Sequence, residues 1–68
     1  MNEDNLNMEI RKFLKKVGIT SQRIIENHIY EANKNGTIKA GDEIELKMTL
    51  SIENFQSSNI IDGKIMIE

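Results

Sequence analysis

The residues of this sequence that could carry acid-base or metal chemistry are few and isolated. There is one histidine, His28, and no cysteine, so a metal site of nitrogen and sulfur ligands is nearly excluded. Histidine is the side chain that ordinarily titrates near neutral pH, but no nucleophile motif, phosphate loop or spaced carboxylate pair accompanies it. The sequence therefore predicts no catalytic residue, cofactor or metal, and a protein that is not an enzyme. His28 is interpreted as structural, and any further role for it stays open.

Contact with nucleic-acid phosphates is the second chemistry to consider. Residues 11–29 read as helix, tight turn at Gly18 and helix, which is the order of a helix-turn-helix. Leu14 stands where that motif prefers a small residue. The net charge of −2 and the pI near 5.4 also argue against a general nucleic-acid binder. Nucleic-acid association is therefore the alternative hypothesis, and its candidate contacts are Arg11, Lys12, Lys15, Lys16, Arg23 and Asn27.

The length of 68 residues allows one small domain. The first ten residues are polar and acidic where a secretory signal needs a basic start and an apolar run, and no later apolar run approaches a membrane span. We therefore expect a cytoplasmic protein with no membrane partner.

Apolar spacing predicts two helices. Residues 6–17 repeat apolar side chains every three or four positions, which predicts a first helix over about 4–17. Gly18 is expected to end it, and Thr20 or Ser21 to cap a second helix over about 21–35. The apolar arc of the second helix comprises Ile24, Ile25, Ile29 and Ala32, with His28 inside it, and Asn35-Gly36 supplies its stop.

Alternating residues predict two strands after the helices, over about 43–52 and 60–67. One face carries Ile44, Leu46, Met48, Leu50 and Ile52 from the first strand and Ile61, Gly63, Ile65 and Ile67 from the second. The favoured antiparallel register pairs Leu50 with Gly63 and sets Thr49 beside Lys64, because a slip of two residues would oppose Lys47 and Lys64.

The predicted fold is α+β, with a two-helix hairpin packed on one face of a two-stranded antiparallel β-hairpin, in the order ααββ. So small a core and two unpaired sheet edges favour a protein-interaction module that binds a protein partner or forms a homodimer. The candidate interface residues are Tyr30, Met8 and Met66, which point away from the predicted core. The carboxylates on the polar sheet face alternate with lysines and are interpreted as a solvated surface.

The N-terminal third of the chain, with MNED, IRKFLKKVG and TSQR in that order, resembles a family of very short uncharacterised bacterial proteins, a domain of unknown function. The resemblance implies a stand-alone single-domain protein and supplies no activity, ligand or catalytic residue. One departure is visible: the family has Glu after SQR, which makes a capping box, whereas this chain has Ile24.

Overall fold

One long helix is followed by a β-hairpin in the computed structural model, which describes all 68 residues. The elements are α1 (Glu3–Lys34), β1 (Glu43–Ile52), a 3-10 turn (Glu53–Phe55) and β2 (Ser57–Met66). The α+β class is confirmed. The chain divides into two compact units, a helical unit (Met1–Thr37) and a hairpin unit (Ile38–Glu68).

Both ends of α1 are capped by residues of the adjoining sequence. The side-chain oxygen of Asn2 accepts a hydrogen bond from the Asn5 N–H at 3.1 Å, and two acidic residues occupy the first turn. At the other end the Thr37 N–H donates to the Ala32 carbonyl at 2.9 Å, and Gly36 takes a positive φ of 71°. The Gly36 N–H also donates to the Asn33 carbonyl at 3.1 Å, and the two hydrogen bonds form a Schellman motif. The predicted stop at Asn35-Gly36 is confirmed.

The predicted helical hairpin is wrong, because α1 runs without interruption through Gly18, Thr20 and Ser21. Gly18 does not have the positive φ that is found at Gly36 and Gly41. Glycine inside a helix costs only about 1 kcal/mol relative to alanine. A break would instead leave several backbone donors and acceptors to be capped, and Ile24 cannot supply the carboxylate of a capping box.

The hairpin unit is closed at both ends by backbone hydrogen bonds. At the turn, Gln56 adopts a left-handed conformation with φ of 49°, and its N–H donates to the Glu53 carbonyl at 3.2 Å. At the open end, the Gly41 N–H donates to the Ile67 carbonyl at 2.7 Å, and the Ile67 N–H donates to the Asp42 carbonyl at 2.8 Å. The first predicted strand is confirmed, whereas β2 begins at Ser57 rather than near residue 60.

The strand register differs from the predicted one by four residues. Gly63 lies opposite Leu46, not opposite Leu50, because the turn is shorter than the connection that the sequence suggested. The observed register opposes Glu45 to Lys64 and Lys47 to Asp62, so cross-strand neighbours have opposite charges. An even shift leaves each side chain on its predicted face. The apolar face of the sheet is therefore as predicted.

No residue of the chain is buried. Within the helical unit and within the hairpin unit, the apolar side chains remain partly or largely exposed. Large apolar side chains at Phe13, Leu14 and Ile24 have 53–54% of their surface accessible. The apolar surfaces of the chain therefore need burial that neither unit provides within itself.

Replacing Gly18 with alanine tests the continuous helix. No heavy atom lies within 4 Å of an added Cβ, so Gly18→Ala should stabilise the protein by about 0.5–1 kcal/mol. The matched control is Gly36→Ala, which should destabilise it because Gly36 has a positive φ of 71°. Thermal unfolding by circular dichroism at one fixed concentration measures both. Destabilisation by Gly18→Ala would mean that Gly18 has a left-handed conformation and ends a helix.

Charge reversal tests the register. Lys64→Glu places a third carboxylate beside Glu45 and Glu43, whose Oε1 lies 3.3 Å from the Lys64 Nζ. We expect a loss of about 0.5 kcal/mol, since the pair is largely exposed, and partial recovery on adding Glu45→Lys. A double-mutant cycle on the free energy of unfolding measures the coupling. A coupling indistinguishable from zero would contradict the observed register.

Candidate interaction surfaces

A single apolar stripe runs along α1. At about 100° per residue, its members fall within an arc of about 120°, the width typical of a helix face that is buried in a folded protein. From Leu6 to Ala32 the stripe is about 39 Å long at 1.5 Å per residue. We define the apolar stripe as Leu6, Ile10, Phe13, Leu14, Val17, Ser21, Ile24, Ile25, His28 and Ala32. The stripe thus joins the faces of the two predicted helices into one surface.

The apolar stripe contains no Asp, Glu, Lys or Arg. Ser21 and His28 are its only polar members; Ser21 is half-buried and His28 is exposed. Ile29, predicted to share the arc, lies about 40° outside the stripe, next to Ile25. No three His, Asp or Glu side chains lie close enough together to hold a metal ion. The stripe is therefore suited to apolar contact.

The candidate interface residues do not form one patch. Met8 and Tyr30 lie on the side of α1 away from the apolar stripe, exposed by 53% and 61%, with Ile19 between them. They are 22 residues apart, or about 33 Å along the helix. Met66 lies in the hairpin unit on the same sheet face as Ile60. A role for these residues stays a prediction.

The basic residues of the alternative hypothesis lie on a continuous helix, and the turn that a helix-turn-helix needs is absent. Lys12, Lys15 and Lys16 line one shallow depression together with Ile19 and Thr20. Arg11 lies to one side of it, and Arg23 and Asn27 follow at one and two turns beyond. Lys12 Nζ lies 3.8 Å from Glu9 Oε1, but both side chains are well exposed, so this pair stabilises little.

The hairpin unit presents one apolar face and one charged face. Ile44, Met48 and Ile65 share the apolar face, where Gly63 opposite Leu46 leaves a gap on β2. The charged face holds Glu45 with Lys64 and Lys47 with Asp62, so positive and negative groups alternate there. Both outer strand edges lack a neighbouring strand.

Sequence reasoning identified each apolar segment of α1 but missed that they form one surface. The signal was present in the spacing: from Val17 to Ser21 and on to Ile24 the steps are four and three residues, the same as from Leu6 to Ile10 to Phe13. A turn at Gly18 would have changed this angular relation. The unbroken spacing therefore indicated a single helix.

Comparison with known proteins identifies a family for the whole chain. The model of a family of unknown function (DUF6494) matches residues 1–68. No curated protein and no solved structure matches the chain. The structure contains no helix of the length and apolar character needed to cross a membrane.

Proposed function

The chain belongs to the family of unknown function DUF6494, and we propose that it is a non-enzymatic module that associates with a second copy of itself through the apolar stripe of α1. One observation carries the proposal: no residue of the chain is buried, although an uncharged apolar surface extends along nearly the whole helix. Burial of that surface is the largest stabilising contribution still available to the chain.

Neither unit has a strong source of stability of its own. A single amphipathic helix in water gains little from propensity alone, and most helical stability in proteins comes from packing of the apolar face. An isolated two-stranded hairpin is marginal for the same reason. Both elements are nevertheless fully formed, with 32 residues in α1 and ten in each strand. Association supplies the missing packing.

The apolar stripe has the extent that a stable interface requires. It runs about 39 Å along α1, which exceeds the diameter of about 30 Å of a small domain. A contact along the whole stripe is therefore as long as an interface between two small domains.

A second copy is favoured as the partner because two copies of the apolar stripe can pack against each other. Two such stripes meet without placing any Asp, Glu, Lys or Arg in the contact, so no unpaired charge is desolvated. Their lengths and curvatures are equal, and two-fold symmetric contacts are the commonest in oligomers.

Nucleic-acid association is the second candidate, favoured by the depression that Lys12, Lys15 and Lys16 line on the side of α1 away from the stripe. Such a surface offers positive charge to phosphates while leaving the apolar stripe free. The helix as a whole carries nearly balanced charge, with six basic and five acidic residues, which limits the attraction.

Two matched substitutions test the stripe as the contact surface. Ile10 in the stripe and Ile19 on the other side are exposed by 47% and 50% in the same helix. Ile10→Lys should weaken self-association at least tenfold, because it places a charge in an apolar contact, whereas Ile19→Lys should leave it unchanged. Sedimentation velocity over a range of concentrations measures both, with helix content followed by circular dichroism.

Other outcomes of that experiment would contradict the proposal. A wild-type chain that stays monomeric and folded at every concentration would exclude self-association. Loss of association in Ile19→Lys and Tyr30→Ala, with Ile10→Lys unaffected, would move the contact to the opposite side of α1.

Charge reversal at Lys15 and Lys16 separates the two candidates. Binding of mixed-sequence duplex DNA that weakens steeply with salt and disappears in Lys15→Glu/Lys16→Glu would support the nucleic-acid function. We expect self-association to persist in this variant and to vary little with salt, because the stripe is uncharged. Fluorescence anisotropy with labelled DNA and sedimentation on the same samples give both readouts.

A further inference from the structure

We propose that the two helices pair antiparallel about a two-fold axis at the level of Ile19; this rests on the proposed self-association and specifies its geometry. The apolar stripe is symmetric about that level. Each member has a counterpart at an equal number of residues on the other side of position 19: Leu6 with Ala32, Ile10 with His28, Phe13 with Ile25, Leu14 with Ile24, and Val17 with Ser21.

The alignment is specific because it pairs every member of the stripe. Sliding one helix by one turn, or about four residues, toward one end sets Leu14 opposite Thr20, Ile25 opposite Glu9 and Ala32 opposite Asn2. Sliding it the other way sets Ile24 opposite Gly18 and leaves Leu6 without a counterpart in α1. The axis at position 19 thus buries the most apolar surface.

Side-chain size favours the antiparallel direction over the parallel one. The N-terminal half of the stripe has large members such as Phe13 and Leu14, while Ser21 and Ala32 in the C-terminal half are small. A parallel pair would place Phe13 beside Phe13 and Ala32 beside Ala32, so the helix separation would have to vary along the contact. The antiparallel pair instead sets Leu6 against Ala32 and Val17 against Ser21, so the combined size of facing side chains varies less along the contact, as close packing requires.

Charge favours the same direction. Arg11, Lys12, Lys15 and Lys16 place four positive charges within six residues. A parallel pair would set this segment at the level of its own copy. The antiparallel pair sets it at the level of residues 22–27, which include Glu26 as well as Arg23. It also brings Asp4 to the level of Lys34 and opposes the two helix dipoles favourably. The lysines lie on the side of α1 away from the contact, so salt screens these charges and they contribute less to the direction than side-chain size does.

Spin labels at two exposed positions test the geometry. The chain has no cysteine, so single cysteines can be labelled without other changes. Asn5 and Asn33 both lie on the side of α1 away from the stripe, at equal distances from position 19 and about 42 Å apart along the helix. Asn5→Cys and Asn33→Cys are each measured alone and then as an equimolar mixture, by double electron-electron resonance.

The antiparallel pair predicts about 47 Å between labels in either variant alone, since about 42 Å along the helices combines with about 20 Å across them, and an added distance near 20 Å only in the mixture. A distance near 20 Å in each variant alone would show a parallel pair and overturn this geometry while leaving self-association intact. Mixed distances well above 20 Å would show a different alignment and equally overturn it. Absence of any dipolar signal, with a monomer in sedimentation, would overturn the proposed function itself.

Discussion

The structure depends most on the apolar stripe of α1, because helices in proteins gain most of their stability from packing of one apolar face. Intrinsic propensity in α1 is mixed, with Gly18 near its centre and five isoleucines that lose side-chain freedom in a helix. Capping by Asn2 and the Schellman motif at Gly36 together contribute a few kcal/mol at most. Packing of the stripe is the contribution large enough to decide whether the helix forms.

A helix end could be predicted from the sequence where the residues fit only one backbone conformation, and could not where they fit two. Asn35-Gly36 ends α1 as expected, because only a glycine accepts the left-handed conformation there without strain. Gly18 is equally compatible with a helix interior and a helix end, and the energy difference of about 1 kcal/mol is too small to decide from composition. Ile24, in place of an acidic residue, was the feature that favoured continuity, since it removes the capping box of a second helix.

The hairpin shows the same division. Alternation fixed the faces of β1 and β2 and the extent of β1, because a half-buried strand has a period of two. The register depended on the length of the turn. The turn ends at Gln56 in a left-handed conformation, which glutamine rarely adopts, so the residue type did not predict it. Charge pairing distinguishes registers that differ by two or four residues and therefore keep the same faces. Only the observed register opposes both Glu45 to Lys64 and Lys47 to Asp62. Of the candidate surfaces, the sequence predicted every member of the stripe except Ser21, but not that these residues form one continuous surface.

An uncharged stripe on a marginal helix couples folding to association. If the second copy supplies the packing that α1 needs, the population of the helix depends on protein concentration, as in dimers whose monomers are not independently stable. The hairpin differs, because its ladder is closed at both ends by hydrogen bonds from Gln56 and Gly41 and its charged face opposes aggregation through the open edges. Under the proposed self-association, the helical unit is therefore the part of the chain whose folding depends on concentration.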